Sequence, residues 1–490
     1  MLSPSDRISD NLLVRLEAAA RPYQRWDAHQ ALDVLQTRRA VLLGHEVGLG
    51  KCLMTLIMAA HLQARRILIV CNAVGRLVWE KETLNWTPEW ANRLVIVRPG
   101  ERPADLSRRL ARPNAICVLS YDLFGASNDV PDRDLDDLMF GGARFDLLVL
   151  DEAHYLKSLG AQRTARIYGP QGVAARASSI ILLSGTITPN GAQELYPHLV
   201  TLWPDLIQIQ SRHGTKRPMT EAEWAERVCV IRHSKFGPRY IGNRNARMVR
   251  KALDQVMIRR TKREVLPELP PVLARDIPLD LDISRVFSKM TPETRRLHNK
   301  LATEFLRKRG DDDILRLLRL PSGHPDAAPM SSLRRQLAEA KLAAVVEWAA
   351  PLLDADEKAK FVFFGWHTGA LEKLHEIMAA YNPVIITGDT GDKDRARAIE
   401  KFQTDPHCRV FVGQIKACGS AVTLTAGTEC VFIECAWTPG DNTQAIGRIH
   451  RMGKRDTVLA SFLYAPGTID ETVMRVFRRK AADLRQFIND

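Results

Sequence analysis

Three short segments of this 490-residue chain combine residue types at spacings suited to chemistry on phosphate groups. The first reads Gly44-His45-Glu46-Val47-Gly48-Leu49-Gly50-Lys51-Cys52, after an apolar run and before a helical one. Glycines let backbone N–H groups approach phosphate oxygens, and the N-terminus of the following helix favours negative charge. Lys51 is placed to reach the outer phosphates of a nucleotide. A plain strand–helix turn would leave that lysine unexplained. Position 52 departs from the pattern. A Ser or Thr there offers its hydroxyl to Mg²⁺, whereas the soft sulfur of Cys52 is a poor match to a hard cation. Either water fills the position, or the chain binds nucleotide and turns it over slowly or not at all.

The second segment runs from the apolar Asp146-Leu147-Leu148-Val149-Leu150 into Asp151-Glu152-Ala153-His154. Two carboxylates at a strand end face the same site: Asp151 is expected to hold Mg²⁺, directly or through water, and Glu152 to orient and deprotonate an attacking water. Adjacent acids at a strand end are often mere loop solvation, but the phosphate loop upstream disfavours that reading. Ser184-Gly185-Thr186 follows another apolar run, where Ser184 and Thr186 are expected to link the nucleotide site to a second lobe. The third segment is Gln444-Ala445-Ile446-Gly447-Arg448-Ile449-His450-Arg451. Arg448 and Arg451 are three apart and share a helix face. Two such arginines are ordinarily solvated; opposite a bound nucleotide they act as arginine fingers, worth roughly 10³ to 10⁵ in phosphoryl-transfer rate.

Parallel strands with crossover helices must position these segments. Short Val/Ile/Leu-rich runs recur at Ala40–Leu43, Ile67–Cys71, Leu94–Val97, Ala115–Leu119, Leu147–Leu150 and Ile180–Leu183, and again at Phe361–Phe364, Val384–Ile386, Val410–Val412, Cys430–Ile433 and Leu459–Leu463. That texture predicts an α/β chain of two lobes with parallel sheets. The expected layout is an N-terminal extension (1–20), a nucleotide-binding lobe (21–205), a basic helical insertion (206–264), a linker (265–280), a second helical insertion (281–340) and a second lobe (341–490).

The formal charge of +13 exceeds what an enzyme of small metabolites needs and suits a polyanionic partner. Residues 227–262 concentrate it, with eleven basic residues against the single acid Asp254. The stretch includes Arg239, Arg244, Arg247, Arg250 and Lys251, with Phe236 and Tyr240 interleaved, and is expected to track a phosphate backbone. Packing against the protein's own acidic surface is the competing reading. No apolar run reaches the roughly 18 residues of a membrane span. The eight cysteines contain no C-x-x-C pair. They read as reduced, buried thiols of a cytosolic protein, in preference to a zinc site made of Cys408, Cys418, Cys430 and Cys435.

In this order, the motifs resemble those of superfamily II helicase-like ATPases, and specifically of the Swi/Snf family, over about residues 20 to 485. They run from Pro22-Tyr23-Gln24 through the phosphate loop, Ser120-Tyr121-Asp122, Asp151-Glu152-Ala153-His154 and Leu183-Ser184-Gly185-Thr186. Arg259-Arg260-Thr261-Lys262-Arg263-Glu264-Val265-Leu266-Pro267 and Arg448-Ile449-His450-Arg451-Met452-Gly453-Lys454 complete the match. The stretch from Ser184 to Tyr196 and the insertion carrying Phe236-Gly237 are similar to the annealing-helicase (HARP-like) branch. The resemblance implies two RecA-like lobes with helical insertions between and on them, ATP with Mg²⁺ as cofactor, and DNA, double-stranded or forked, as partner of a monomer. It implies that Gln24, Glu46, Val47, Gly48, Leu49, Gly50, Lys51, Cys52 and Gln444 hold ATP, and that His154 connects the acids to Ser184 and Thr186. By the same resemblance, Ser120, Tyr121, Gly419, Thr423 and Thr425 touch DNA. The expected activity is ATP-driven translocation on duplex DNA; a strand-separating helicase and an ATP-gated DNA-binding module with weak or no hydrolysis are the alternatives.

Overall fold

The computed structural model describes residues 10–98, 108–110, 112–125, 143–185, 188, 191–210, 214–234, 237–288, 290–306, 327–418, 422–436, 438–475 and 478. The chain divides into two compact units, Met1–Val265 and Leu266–Asp490.

Unit 1 opens with helices α1 (Asp10–Ala19) and α2 (Pro22–Thr37), then strand β1 (Ala40–Leu43) and helix α3 (Lys51–His61). Strand β2 (Ile67–Cys71), helix α4 (Gly75–Trp86) and strands β3 (Leu94–Ile96), β4 (Ile116–Ser120), β5 (Phe145–Asp151) and β6 (Ala177–Leu183) follow. Beyond them lie two antiparallel hairpins, β7 (Gln208–Gln210) with β8 (Lys216–Pro218) and β9 (Cys229–Ser234) with β10 (Gly237–Asn243), and a last short strand, β11 (Met257–Ile258). The main sheet has the order β11-β1-β6-β5-β2-β4-β3, with every pairing parallel. Its strands are buried on both faces. Val41, Leu43, Ile67, Ile69, Leu147 and Val149 share one core cluster, and the alternating Leu42, Leu68, Val70, Leu148 and Leu150 are equally buried. That is why these strands read as unbroken apolar runs rather than as alternation.

Unit 2 carries a sheet in the order β12-β17-β16-β13-β15-β14, built from β12 (Val272–Pro278), β13 (Phe361–Gly365), β14 (Val384–Ile386), β15 (Val410–Gln414), β16 (Glu429–Phe432) and β17 (Val458–Tyr464). All its pairings are parallel. Alternate residues of β13 enter opposite cores: Val362 and Phe364 pack with Phe402 and Phe411, while Phe361 and Phe363 pack with Leu371 and Leu374. The α/β class with two parallel sheets is therefore as expected, and each apolar run marks a strand to within a few residues.

The middle of the chain differs from expectation. Residues 206–264, read as helical, hold both hairpins and contribute β11 to the first sheet. Cys229-Val230-Ile231 is β-branched and apolar, and pairing with the next strand wins over the helix-favouring arginines around it. Residues 265–280, read as a linker, contain β12, an edge strand of unit 2 bounded by Pro271 and ending at Pro278. Proline is tolerated at such an edge, where a missing N–H faces no neighbour. The helix Ala327–Ala355 runs through the expected boundary at 340, and its Lys341 is fully buried, donating to the Ile433 carbonyl and pairing with Asp470.

Candidate functional site

The chemistry-bearing residues of unit 1 gather at one edge of its sheet because parallel strands deliver their C-terminal ends to the same side. Leu43 of β1, Leu183 of β6 and Asp151 of β5 lie side by side in register. The loops leaving those strands are the phosphate loop, Ser184-Gly185 and Asp151-Glu152. Gly185 sits so close to the phosphate loop that a Cβ there would meet Val47 Cγ2 at 3.0 Å.

Within the loop, Gly48 and Gly50 adopt φ of 91° and 78°, the left-handed region that glycine enters without penalty. Gly50 caps α3, and a Cβ on it would strike the Gln24 amide. Gln24 Nε2 and Tyr23 Oη both donate to the Leu49 carbonyl, at 3.1 and 3.0 Å, which ties α2 to the loop. The Lys51 amine donates to the His45 carbonyl at 2.8 Å, so the loop's own backbone positions its cation. Cys52 packs at the border of the core, and burial, then the charge of Asp151, pushes its thiol well above the ordinary range. It is a neutral thiol.

Asp151 is held on both oxygens: the Trp79 indole N–H donates to Oδ2 at 2.9 Å and the Glu152 N–H to Oδ1 at 3.0 Å. Burial, then the neighbouring Glu152 charge, raises its carboxyl to about 6. Glu152 has φ 51°, a left-handed conformation that costs a non-glycine residue roughly 1 kcal/mol and recurs at functional sites. Its Oε2 lies 3.3 Å from His154 Nδ1, which is itself 3.4 Å from Ser184 Oγ. The expected Glu152, His154 and Ser184 are thus brought together, while Thr186 lies outside the described residues. Behind them, Tyr168 Oη and His198 Nδ1 share a buried hydrogen bond of 2.7 Å, and burial, with His154 nearby, lowers the His198 imidazole to about 3.

A second network, invisible in the motifs, braces the phosphate loop from behind. Asp27 of α2 is fully buried and bonds His45 Nε2 at 2.9 Å and both forks of Arg260, at 2.9 to 3.2 Å. Arg259 Nη1 donates to the Gly44 carbonyl at 3.1 Å, and the Lys262 N–H donates to Glu46 Oε2 at 2.8 Å. Glu46 therefore meets the chain's own backbone here. Arg259 and Arg260 also leave the basic stretch of 227–262, which is not one continuous grip. The exposed basic residues lie elsewhere. Arg244, Arg247 and Lys251 are exposed and Arg250 half-buried, on or beside the helix Ala246–Leu253, whose Val249, Ala252 and Leu253 face the core. Tyr240 is 42% exposed. The side chain of Arg239 and residue Phe236 lie outside the described residues.

Two residues expected to touch DNA are buried in this structure. Ser120 is 3% exposed and donates to Asp122 Oδ2 at 2.9 Å, and Tyr121 is fully buried with its ring stacked on Tyr155 at 5.2 Å. Neither offers surface to a backbone. Ser120 ends the buried strand β4 and Tyr121 opens the helical turn after it, and both side chains join the core.

In unit 2 the helix Pro439–Ile449 carries Gln444 and Arg448, both buried. Arg451 donates to Thr423 Oγ1 at 2.8 Å and to the Gly447 carbonyl at 3.0 Å, and the Leu424 N–H donates to the Arg448 carbonyl. The arginine motif and the Thr423–Thr425 segment therefore form one assembly. Thr425 Oγ1 accepts from Gln403 at 3.0 Å, and Gly419 lies outside the described residues. A further cluster escaped the motifs. At the ends of β13 and β16, Glu434 accepts from the Trp366 and His367 N–H groups and from His367 Nδ1. Burial raises its carboxyl, but His367 and Arg334 outweigh that and bring it to about 2. All eight cysteines are free thiols, and Cys418 and Cys435 are pushed to about 12 by burial.

A phosphate loop beside an acid pair at one sheet edge, with a buried-glutamine and arginine helix in a second parallel-sheet unit, defines the core of a helicase-like ATPase. The chain belongs to the SNF2-related family: the SNF2-related domain profile matches residues 23–315, and the helicase conserved C-terminal domain profile matches residues 341–453. Among curated proteins it is 28% identical over 97% of its length to the human DNA annealing helicase and endonuclease ZRANB3, of which it covers 41%. It is 26% identical over 95% of its length to the Xenopus laevis SWI/SNF-related matrix-associated actin-dependent regulator of chromatin subfamily A-like protein 1, of which it covers 44%. The chain thus spans about two fifths of the length of these relatives. Among solved structures, the Sulfolobus solfataricus SWI2/SNF2 ATPase core in complex with dsDNA aligns with 99% of this chain and 94% of its own, at 17% identity and a TM-score of 0.40. Membership of the Swi/Snf family, near its annealing helicases, is borne out. Among the described residues no helix is long and apolar enough to cross a membrane.

Proposed function

We propose that the chain hydrolyses ATP in response to duplex DNA and uses the energy to move along the duplex without obligatory strand separation. The observation that carries this is the convergence of the phosphate loop, Asp151 and Glu152 at one sheet edge of an SNF2-related chain. The residues fit a nucleotide's phosphates: left-handed glycines expose backbone N–H groups, and Lys51 is held over the loop. Gln24, whose amide donates to the Leu49 carbonyl, and Gln444 are assigned to ATP on their motifs. Mg²⁺ would neutralise phosphate charge and be held through Asp151, whereas the protonated thiol of Cys52 supplies no ligand.

Glu152, in contact with His154, is the group that orients and deprotonates the attacking water, and its left-handed backbone aims it off the strand end. His154 and Ser184 pass the state of that carboxylate to the neighbouring strand. Arg448 and Arg451 are assigned to the transferred phosphoryl group on their motif. Arg244, Arg247, Arg250 and Lys251 grip phosphates rather than bases, which gives little sequence preference. Thr423 and Thr425 sit beside that arginine helix as a second backbone contact. Annealing of strands is the finer activity that one relative's name suggests, and remodelling of forks is the further expectation of the family resemblance.

One observation favours a second reading, an ATP-gated DNA-binding module: the sulfur at Cys52. Measuring ATP turnover with and without duplex, fork and single-stranded DNA, for the native chain, Cys52→Thr and Glu152→Gln, separates the two. Duplex-stimulated turnover that Glu152→Gln abolishes supports the motor. Turnover found only in Cys52→Thr overturns it in favour of the module.

A further inference from the structure

Far from the loop's phosphate-facing side, three helices of unit 1 bring a carboxylate and two imidazoles to one point. Glu17 of α1 accepts at the same oxygen, Oε1, from His29 Nε2 of α2 at 3.0 Å and from His61 Nε2 of α3 at 2.7 Å. The three ligand atoms lie within 4.8 Å of one another, and this is the one such group of three among the described residues. The two rings meet edge-on, with centroids 4.8 Å apart and planes at 70°, so both nitrogens aim inward rather than stacking past each other. The side chains of His61 and Glu17 are about a quarter exposed and that of His29 is half exposed, which leaves one side open to water.

We propose that Glu17, His29 and His61 form a binding site for a divalent transition metal of the zinc class. Two imidazole nitrogens with one carboxylate oxygen make a borderline donor set that suits Zn²⁺, Co²⁺ or Ni²⁺ and not the all-oxygen preference of Ca²⁺ or Mg²⁺. Ligands at tetrahedral zinc stand about 3.3 Å apart, given bonds near 2.0 Å. The two distances to Glu17 must therefore open by a few tenths of an ångström. Rotation of exposed His29 adjusts its own distances, and a small shift of the Glu17 carboxylate, itself partly exposed, opens the distance to His61. Water completes the fourth position from the open side. His61 also lies in the last turn of α3, where the helix's negative end adds attraction for a cation.

The site would pin the first helix. Apart from this cluster, α1 is anchored by two buried leucines, Leu12 and Leu16, and by the exposed Arg15–Glu89 ion pair at 2.7 Å. Bound metal ties α1 and α2 directly to α3, the helix that begins at Lys51. A trio joined only by hydrogen bonds would fasten the same helices without metal, so the two readings part on metal dependence alone.

The test uses the full chain, stripped with chelator and free of nucleotide, titrated with Co²⁺ and, separately, unfolded thermally with and without Zn²⁺. The expected result is one equivalent of Co²⁺ with the intense ligand-field bands of a four-coordinate site, and a Zn²⁺-dependent rise in unfolding temperature. His29→Ala removes an exposed side chain and leaves the fold intact. It should weaken Co²⁺ binding at least about tenfold, since even partners behind a ligand cost that much, and should abolish the Zn²⁺ effect. His61→Ala should do the same. Three results overturn the proposal: no ligand-field bands, equal binding in the His29→Ala/His61→Ala double variant, or thiolate-to-cobalt charge transfer that assigns the ion to cysteine.

Discussion

Unit 1 holds charges of two kinds, and they differ in where their partners come from. Asp27, His45, Arg260 and Asp151 face inward and are satisfied by groups distant in sequence: Asp27 by Arg260, 233 residues on, and Asp151 by Trp79, 72 residues back. Arg244, Arg247 and Lys251 face solvent on a helix whose other side is apolar. All the arginines among them sit within one basic stretch of sequence, yet they do different work. The inward set fixes the shape of the phosphate loop, and the outward set presents charge. A buried charge pair resists salt, whereas exposed cations act through a field that salt screens over about 8–10 Å. Inward substitutions should therefore change stability or turnover, and outward ones should change salt-dependent DNA binding.

The largest expected effect lies beside the inward set, at the neighbour of Asp151. Glu152→Gln keeps the shape and removes the base, so kcat for DNA-stimulated ATP hydrolysis should fall about 10²- to 10⁴-fold, with DNA affinity unchanged. Next comes Arg260→Ala, which leaves Asp27 fully buried with His45 as its remaining side-chain partner. The guanidinium is 36% exposed, so the cost should be about 2–3 kcal/mol, below that of breaking a fully buried pair. Urea unfolding reads it directly. A loss that disappears in high salt would show that this pair behaves as a surface bridge and would erase the contrast.

What the sequence disclosed and what it hid follow the same line. The phosphate loop and the acid pair were legible because their chemistry is local: glycines, lysine and helix lie within nine residues, 44–52. Strands were legible because burial on both faces leaves no polar alternation. The Asp27–His45–Arg260 network was not, because a lone aspartate on a helix carries no sign of an arginine more than two hundred residues away. Arg259 and Arg260 were counted with the DNA-facing charges for the same reason. Trp79 read as one more apolar residue of α4, and nothing in its neighbours marks its indole N–H as the support of Asp151. The burial of Ser120 and Tyr121 was hidden because a motif gives a position along the chain and not its depth. The hairpin at 229–243 was hidden by its arginines, whose helical preference counts for less than pairing.

The outward set sharpens the contrast at smaller scale. Arg247→Ala with Lys251→Ala should leave stability within about 0.5 kcal/mol of the native chain. Duplex affinity should fall at low salt, and the slope of log affinity against log salt should become shallower by about 0.9 for each phosphate that is no longer neutralised. Equal slopes in a fluorescence-anisotropy titration would remove this face from the DNA path.

The last effect is the subtlest, because one carboxyl should act on stability and on activity in opposite senses through one pH window. Asp151 has its carboxyl raised to about 6 by burial and by Glu152, against an ordinary value of 3.8. Between those values the folded chain binds more protons than the unfolded one, so this pair favours the folded state progressively as pH falls from about 6 towards 4. The histidines lowered by burial, His45, His198 and His298, act in the opposite sense across the same window, and carboxyls lowered in the fold, such as Glu434, begin to lose their stabilisation below 4.5, so the contribution of Asp151 is read as the difference between the native chain and a variant. Protonation of Asp151 also removes the charge expected to hold Mg²⁺, so kcat/KM should decline as pH falls through about 6. Asp151→Asn should be more stable than the native chain at pH 8, with the difference shrinking as pH falls from about 6 towards 4, while abolishing turnover at every pH. An Asp151→Asn variant whose stability follows pH between 6 and 4 just as the native chain's does would place the titrating group elsewhere than at the end of β5.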